Sequence, residues 1–118
     1  MAYEIEFYFD AQGNCPVQDL LDLLETANGK AARIKYEQIF RCIRMLKLKG
    51  KTIREPHGKH LKDEIWELRP GDERVLFAAF DGSKFVLLHP YMKKTQKTPM
   101  AEIKKAKQEF ADYMRQRK

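Results

Sequence analysis

Nowhere in the 118 residues does an apolar run approach the ~18 residues that a helical membrane span requires. The opening stretch MAYEIEFYFD carries acidic residues where a secretory signal would be basic. Cysteine is scarce. Cys15 and Cys42 form no CxxC pair, which excludes a disulfide-rich scaffold and fits a reducing compartment. The expectation is therefore a cytoplasmic protein with no membrane association, its two thiols acting as small buried hydrophobes. Repeats, linkers and low-complexity segments are missing too. At this length one domain spanning residues 1–118, with a single modest core, is expected.

What is present is a folded composition with a basic excess. Apolar residues make up 43% and charged residues 34%, which rules out a disordered tail. Lysine and arginine number 23 against 17 acidic residues, leaving +6, a balance that favours a polyanionic partner.

The hydrophobic pattern gives the element order. YEIEFYFD alternates, with Tyr3, Ile5, Phe7 and Phe9 on one side and Glu4, Glu6, Tyr8 and Asp10 on the other, as in a half-buried strand. Pro16 suits the first turn of a helix whose Val17, Leu20, Leu21 and Leu24 share a face. After NGK a longer helix runs to about Leu48, with Ala32, Tyr36, Ile39, Ile43 and Leu46 on its apolar side and Arg33, Arg41, Arg44 and Lys47 on a solvated one. Residues 49–60 read as a polar loop. From Ile65 the period becomes two, and IWELR, RVLFAAF and KFVLLHPYM read as strands joined by PGDE and DGS hairpins. Thr98 and Pro99 read as a helix cap and first turn before a stripe of Ile103, Ala106, Phe110 and Tyr113. The sum is an α+β fold, β-α-α-β-β-β-α, with a small, mostly antiparallel sheet.

Hairpin register then sorts side chains between the two faces. A four-residue PGDE turn sets Arg69 opposite Arg74, Glu67 opposite Leu76 and Trp66 opposite Phe77. A Gly82-Ser83 turn sets Phe80 opposite Phe85, Leu76 opposite His89 and Arg74 opposite Tyr91. Trp66, Leu68, Val75, Phe77, Val86 and Leu88 are expected on one face as core, and Glu67, Arg69, Arg74, His89, Tyr91 and Lys93 on the other. Two arginines facing each other repel unless an anion lies between them.

KHLKDEIWELRPGDERVLFAAF followed by FVLLHPYMKKTQKTPMAEIKKA resembles the RelE/HigB-type toxins of bacterial type II toxin-antitoxin pairs, in their phage-derived branch. The resemblance implies two N-terminal helices packed on the sheet, a closing C-terminal helix, and a ribosome-dependent messenger-RNA endonuclease that arrests translation. It implies silencing by a cognate antitoxin, usually a helix-turn-helix protein, through which alone operator DNA is bound. Arg74 matches the family's phosphate-contacting arginine and Arg69 a basic position closing the preceding strand. Tyr91, Lys93 and Lys94 stand where relatives place a Tyr or His and a basic residue.

Cutting RNA by attack of its own 2′-hydroxyl needs no metal or other cofactor, only proton transfer and stabilisation of an anionic phosphorane. Arg74 and Arg69 are the expected phosphate grips, supported by Lys93 and Lys94. Glu67, His89 and Tyr91 are the candidate proton carriers. His89 serves either there or as a hydrogen-bonded core histidine, and Tyr91 needs a pKa lowered by neighbouring cations. Lys59, His60, Lys62 and Lys97 are expected along an RNA groove. A metal site at His57, His60 and His89 is disfavoured by loose spacing and the absence of an acidic or thiol anchor. Two other classes share the features: a ParE-like toxin that binds DNA gyrase, and a non-enzymatic RNA-binding module.

Overall fold

The computed structural model describes residues 3–117. Elements run β1 (Glu4–Phe7), α1 (Pro16–Thr26), α2 (Lys30–Lys49), a 3-10 turn (Gly50–Thr52), β2 (Gly58–Lys62), β3 (Ile65–Leu68), β4 (Glu73–Phe80), β5 (Lys84–Met92) and α3 (Met100–Gln116). The five strands are ordered β1-β5-β4-β3-β2, with β1 parallel to β5 and the other pairs antiparallel. The α+β expectation stands, with one strand added. Among the described residues no helix is long and apolar enough to cross a membrane.

β2 begins inside the stretch expected to be loop, residues 49–60, and runs two residues past it. It is an edge strand whose Lys59, His60 and Lys62 are exposed and whose ladder is interrupted between His60 and Lys62. Charge and irregularity on a sheet edge discourage pairing with another chain, and they also erase the apolar alternation that betrays a strand.

Helices cover both faces of the sheet. On one, Leu68, Val75, Phe77, Ala79, Phe85 and Leu87 pack against Val17 and Leu21 of α1 and Ile39, Cys42 and Leu46 of α2. On the other, Ile65, Leu76, Ala78, Val86 and Leu88 pack with Ala106 and Tyr113 of α3. Burying β4 and β5 from both sides accounts for their nearly continuous apolar runs.

The first hairpin keeps the expected register, with Trp66 opposite Phe77 and Glu67 opposite Leu76. The second does not near its turn. Asp81 adopts φ 53° beside Gly82 at 74°, so three residues turn instead of two, and Phe80 lies opposite Lys84 rather than Phe85. Val86 and Leu88 accordingly face α3, and Phe85 and Leu87 take the α1–α2 side. Beyond Leu87 a β-bulge restores the expected pairs, Leu76 with His89 and Arg74 with Tyr91. Tyr8 differs as well: its side of β1 is covered by α3, so it is buried and donates to Asp112 at 2.7 Å. Thr98 is not the cap of α3. That position belongs to Pro99, and Thr98 turns toward the sheet.

Candidate active site

Glu67 organises the site. It is completely buried on β3, on the face toward α3, and a carboxylate is stable there only if fully partnered. Its Oε2 accepts from Arg69 Nε at 3.0 Å and lies 3.9 Å from Arg74 Nε. Its Oε1 accepts from the Tyr91 hydroxyl at 2.6 Å and the Thr98 hydroxyl at 2.9 Å. The anion that two facing arginines require is thus supplied by the chain itself, in its resting state.

Each arginine is also fixed from outside the carboxylate. Arg74 Nη1 donates to the carbonyls of Gly71 and Glu73, both at 2.8 Å, which pins its stem to the hairpin. Arg69 Nη1 reaches the exposed Glu55 at 3.1 Å. Arg69, Arg74, Glu55, Pro56 and Gly71 line an open cavity of about 310 Å³, roomy enough for a phosphodiester.

A second cleft, of about 380 Å³, adjoins the first through Arg69. It gathers Lys59, His60, Lys62 and Lys97, the four residues expected along an RNA groove, so that with Arg69 it holds four cations above apolar Leu61, Met100 and Ile103. Among the described residues no acidic side chain lines it. Cations above an apolar floor complement an RNA strand, whose phosphates are charged and whose base faces are not.

Three expected groups behave otherwise. His89 is 2% exposed and lies between two carboxylates of α3, Nδ1 at 2.5 Å from Glu109 and Nε2 at 2.8 Å from Glu102. It clasps α3 to β5 and is the hydrogen-bonded core histidine of the two readings. Lys93 and Lys94 are exposed past the end of β5 and line neither cavity. Tyr91 titrates in the opposite direction from the one expected. Burial, and then the bond to Glu67, push its phenol up to about 12, outweighing Arg74. Among the described residues no group of three or more His, Cys, Asp or Glu is placed to hold a metal ion.

Two members of the cluster escaped the sequence. Glu55 arrives on the irregular segment after the 3-10 turn, and Thr98 on the approach to α3. Neither carries a local pattern that could have marked it.

The model of the phage-derived Gp49-like proteins matches residues 30–111, more than half of the chain. The chain belongs to that family. A chain of the archaeal RelE–RelB complex from Pyrococcus horikoshii OT3 is similar to this Gp49-like protein at 17% identity and TM-score 0.50, covering 78% of this chain and 96% of that one. A chain of the RelBE2 toxin-antitoxin complex from Mycobacterium tuberculosis aligns at 19% identity and TM-score 0.39, over 79% of this chain and 100% of that one. A search of curated proteins finds no match. The family and the first of these alignments make this a RelE-type fold.

Proposed function

We propose that this Gp49-like protein is the toxin of a type II toxin-antitoxin pair and cuts messenger RNA on the ribosome without a metal. The observation that carries the reading is the meeting of two guanidinium groups and a phenol on one buried carboxylate, beside a cleft lined by four cations. A structural role alone does not call for two arginines on the wall of an open cavity.

In the proposed reaction the scissile phosphate enters the cavity beside Glu55, and Arg69 and Arg74 hold its nonbridging oxygens. The exposed Glu55 carboxylate takes the 2′-hydroxyl proton as the 2′-oxygen bonds to phosphorus. The bond to the 5′-oxygen breaks, and that oxygen takes a proton from water, while Tyr91, a neutral phenol near pH 7, donates to Glu67 and holds the carboxylate that sets the two guanidinium groups. The products are a 2′,3′-cyclic phosphate and a 5′-hydroxyl. The guanidinium groups stabilise the extra charge of the phosphorane, and losing one such donor costs roughly 10²–10³ in rate. A cognate antitoxin, of the helix-turn-helix kind, holds the toxin silent in the cytoplasm.

Inducible expression with mapping of the 5′ ends of cellular messages tests this reading. Wild type should arrest growth with new ends inside coding sequences, and a folded Arg74→Ala protein should do neither. A folded Arg74→Ala variant that stays fully toxic, or a DNA-damage response with intact messages, would overturn it.

A further inference from the structure

A cleft of about 880 Å³ lies on the opposite side of β2 from the basic groove and shares Lys59 and His60 with it. Its wall includes the only tryptophan in the chain, and Trp66 is incompletely buried. On its inner side Trp66 stacks toward Phe77, with ring centroids 6.1 Å apart and planes inclined by 28°. On its outer side stands the His60 ring, at 4.9 Å and 56°. His60 is held there because its Nε2 donates to the Asp63 carbonyl at 2.7 Å. The small side chain of Ala79 leaves depth beneath this aromatic row.

We propose that this cleft is a nucleobase subsite for the RNA that the neighbouring arginines grip. The inference rests on the function proposed above and extends it to a base-reading position. An aromatic row that ends in an open cleft offers a stacking platform for any base. Lys51, Arg54 and Lys59 on the rim supply charge for the flanking phosphates. Glu55 lines both this cleft and the arginine cavity, so one strand passes from one to the other. Glu64, also on the wall, adds a carboxylate acceptor. Such an acceptor pairs with the amino groups of adenine, cytosine and guanine and finds no exocyclic amino donor on uracil. The subsite therefore prefers amino-bearing bases.

Because Trp66 is the sole tryptophan, its emission reports on this cleft alone. The purified full chain is titrated with short 2′-O-methyl oligonucleotides of A, C, G or U, which lack the attacking hydroxyl. Anisotropy of an end-labelled oligonucleotide follows RNA binding independently. The expected result is saturable quenching of Trp66 that parallels anisotropy and is weakest for U. His60→Ala should weaken binding by at least about fivefold, the low end for one stacked base, and Glu64→Gln should narrow the gap between U and the other bases. Binding seen by anisotropy with Trp66 emission and the His60→Ala affinity both unchanged overturns the subsite and leaves the nuclease reading standing. Absence of binding to every oligonucleotide overturns the subsite, and intact messages in expressing cells would then overturn the nuclease reading as well.

Discussion

Replacing Glu67 with glutamine keeps the volume of a completely buried side chain and removes only its charge. The new amide can still serve its neighbours in part: its oxygen accepts from Arg69 Nε, and its N–H groups meet hydroxyl oxygens of Tyr91 and Thr98 that are able to accept. What is lost is the counter-ion of two guanidinium groups whose side chains are only 17% and 10% exposed. Removing one partner of a buried ion pair costs about 3–5 kcal/mol. Here the loss is softened, since Arg69 keeps Glu55 and Arg74 keeps two backbone carbonyls. We expect a net loss of about 2–3 kcal/mol, or a Tm lowered by roughly 10 °C in a domain of this size. Urea unfolding followed by far-ultraviolet circular dichroism at pH 7 measures it, with an unchanged m-value confirming that the native fold is retained. A Glu67→Gln protein within about 0.5 kcal/mol of wild type, the range of ordinary surface changes, would refute the idea that the carboxylate neutralises the cluster.

Tyr91, with a folded pKa raised to about 12 from 10, favours the folded state below pH 10 and loses that contribution as pH rises through about 12. The phenolate absorbance of wild type minus that of Tyr91→Phe should therefore show a midpoint near 12, and a midpoint at or below 10 contradicts the buried contact with Glu67. Gly50, at φ 56°, ends α2 with the Tyr3 ring lying against its Cα, where a methyl group would collide. Gly50→Ala should cost about 2 kcal/mol from backbone strain and displacement of that ring, and a Tm within 2 °C of wild type would refute the assignment. Arg74→Lys preserves charge but cannot reproduce a guanidinium fork that grips backbone and phosphate together, so toxicity should fall nearly as far as in Arg74→Ala; a fully toxic lysine variant would show that charge alone suffices.

The arrangement at the arginines was legible because it depended on parity and on one turn. PGDE fixed Glu67 opposite Leu76, and strand alternation then put Glu67, Arg69, Arg74 and Tyr91 on a common face. The second turn was misjudged, since the left-handed conformation of Asp81 adds a residue that no simple turn pattern announces. The bulge after Leu87 cancels the error for His89 and Tyr91 but not for Val86 and Leu88. Parity also says nothing about what covers a face. It placed His89 on the side of the arginines, where α3 then closes over it with Glu102 and Glu109. Glu55 and Thr98 come from irregular segments whose paths are set by the assembled sheet, and the upward shift of Tyr91 follows from its burial and then from its 2.6 Å bond to Glu67, neither of which a sequence pattern encodes.

The central claim is that Arg69 and Arg74 stabilise a phosphorane formed by the RNA itself. The chemistry at the broken ends of messages tests it most directly. After brief induction, upstream fragments should carry 2′,3′-cyclic phosphates and downstream fragments 5′-hydroxyls, and both should vanish in a folded Arg69→Ala/Arg74→Ala protein. Fragments bearing 3′-hydroxyls and 5′-phosphates, or cyclic phosphates that persist without the two guanidinium groups, would contradict it.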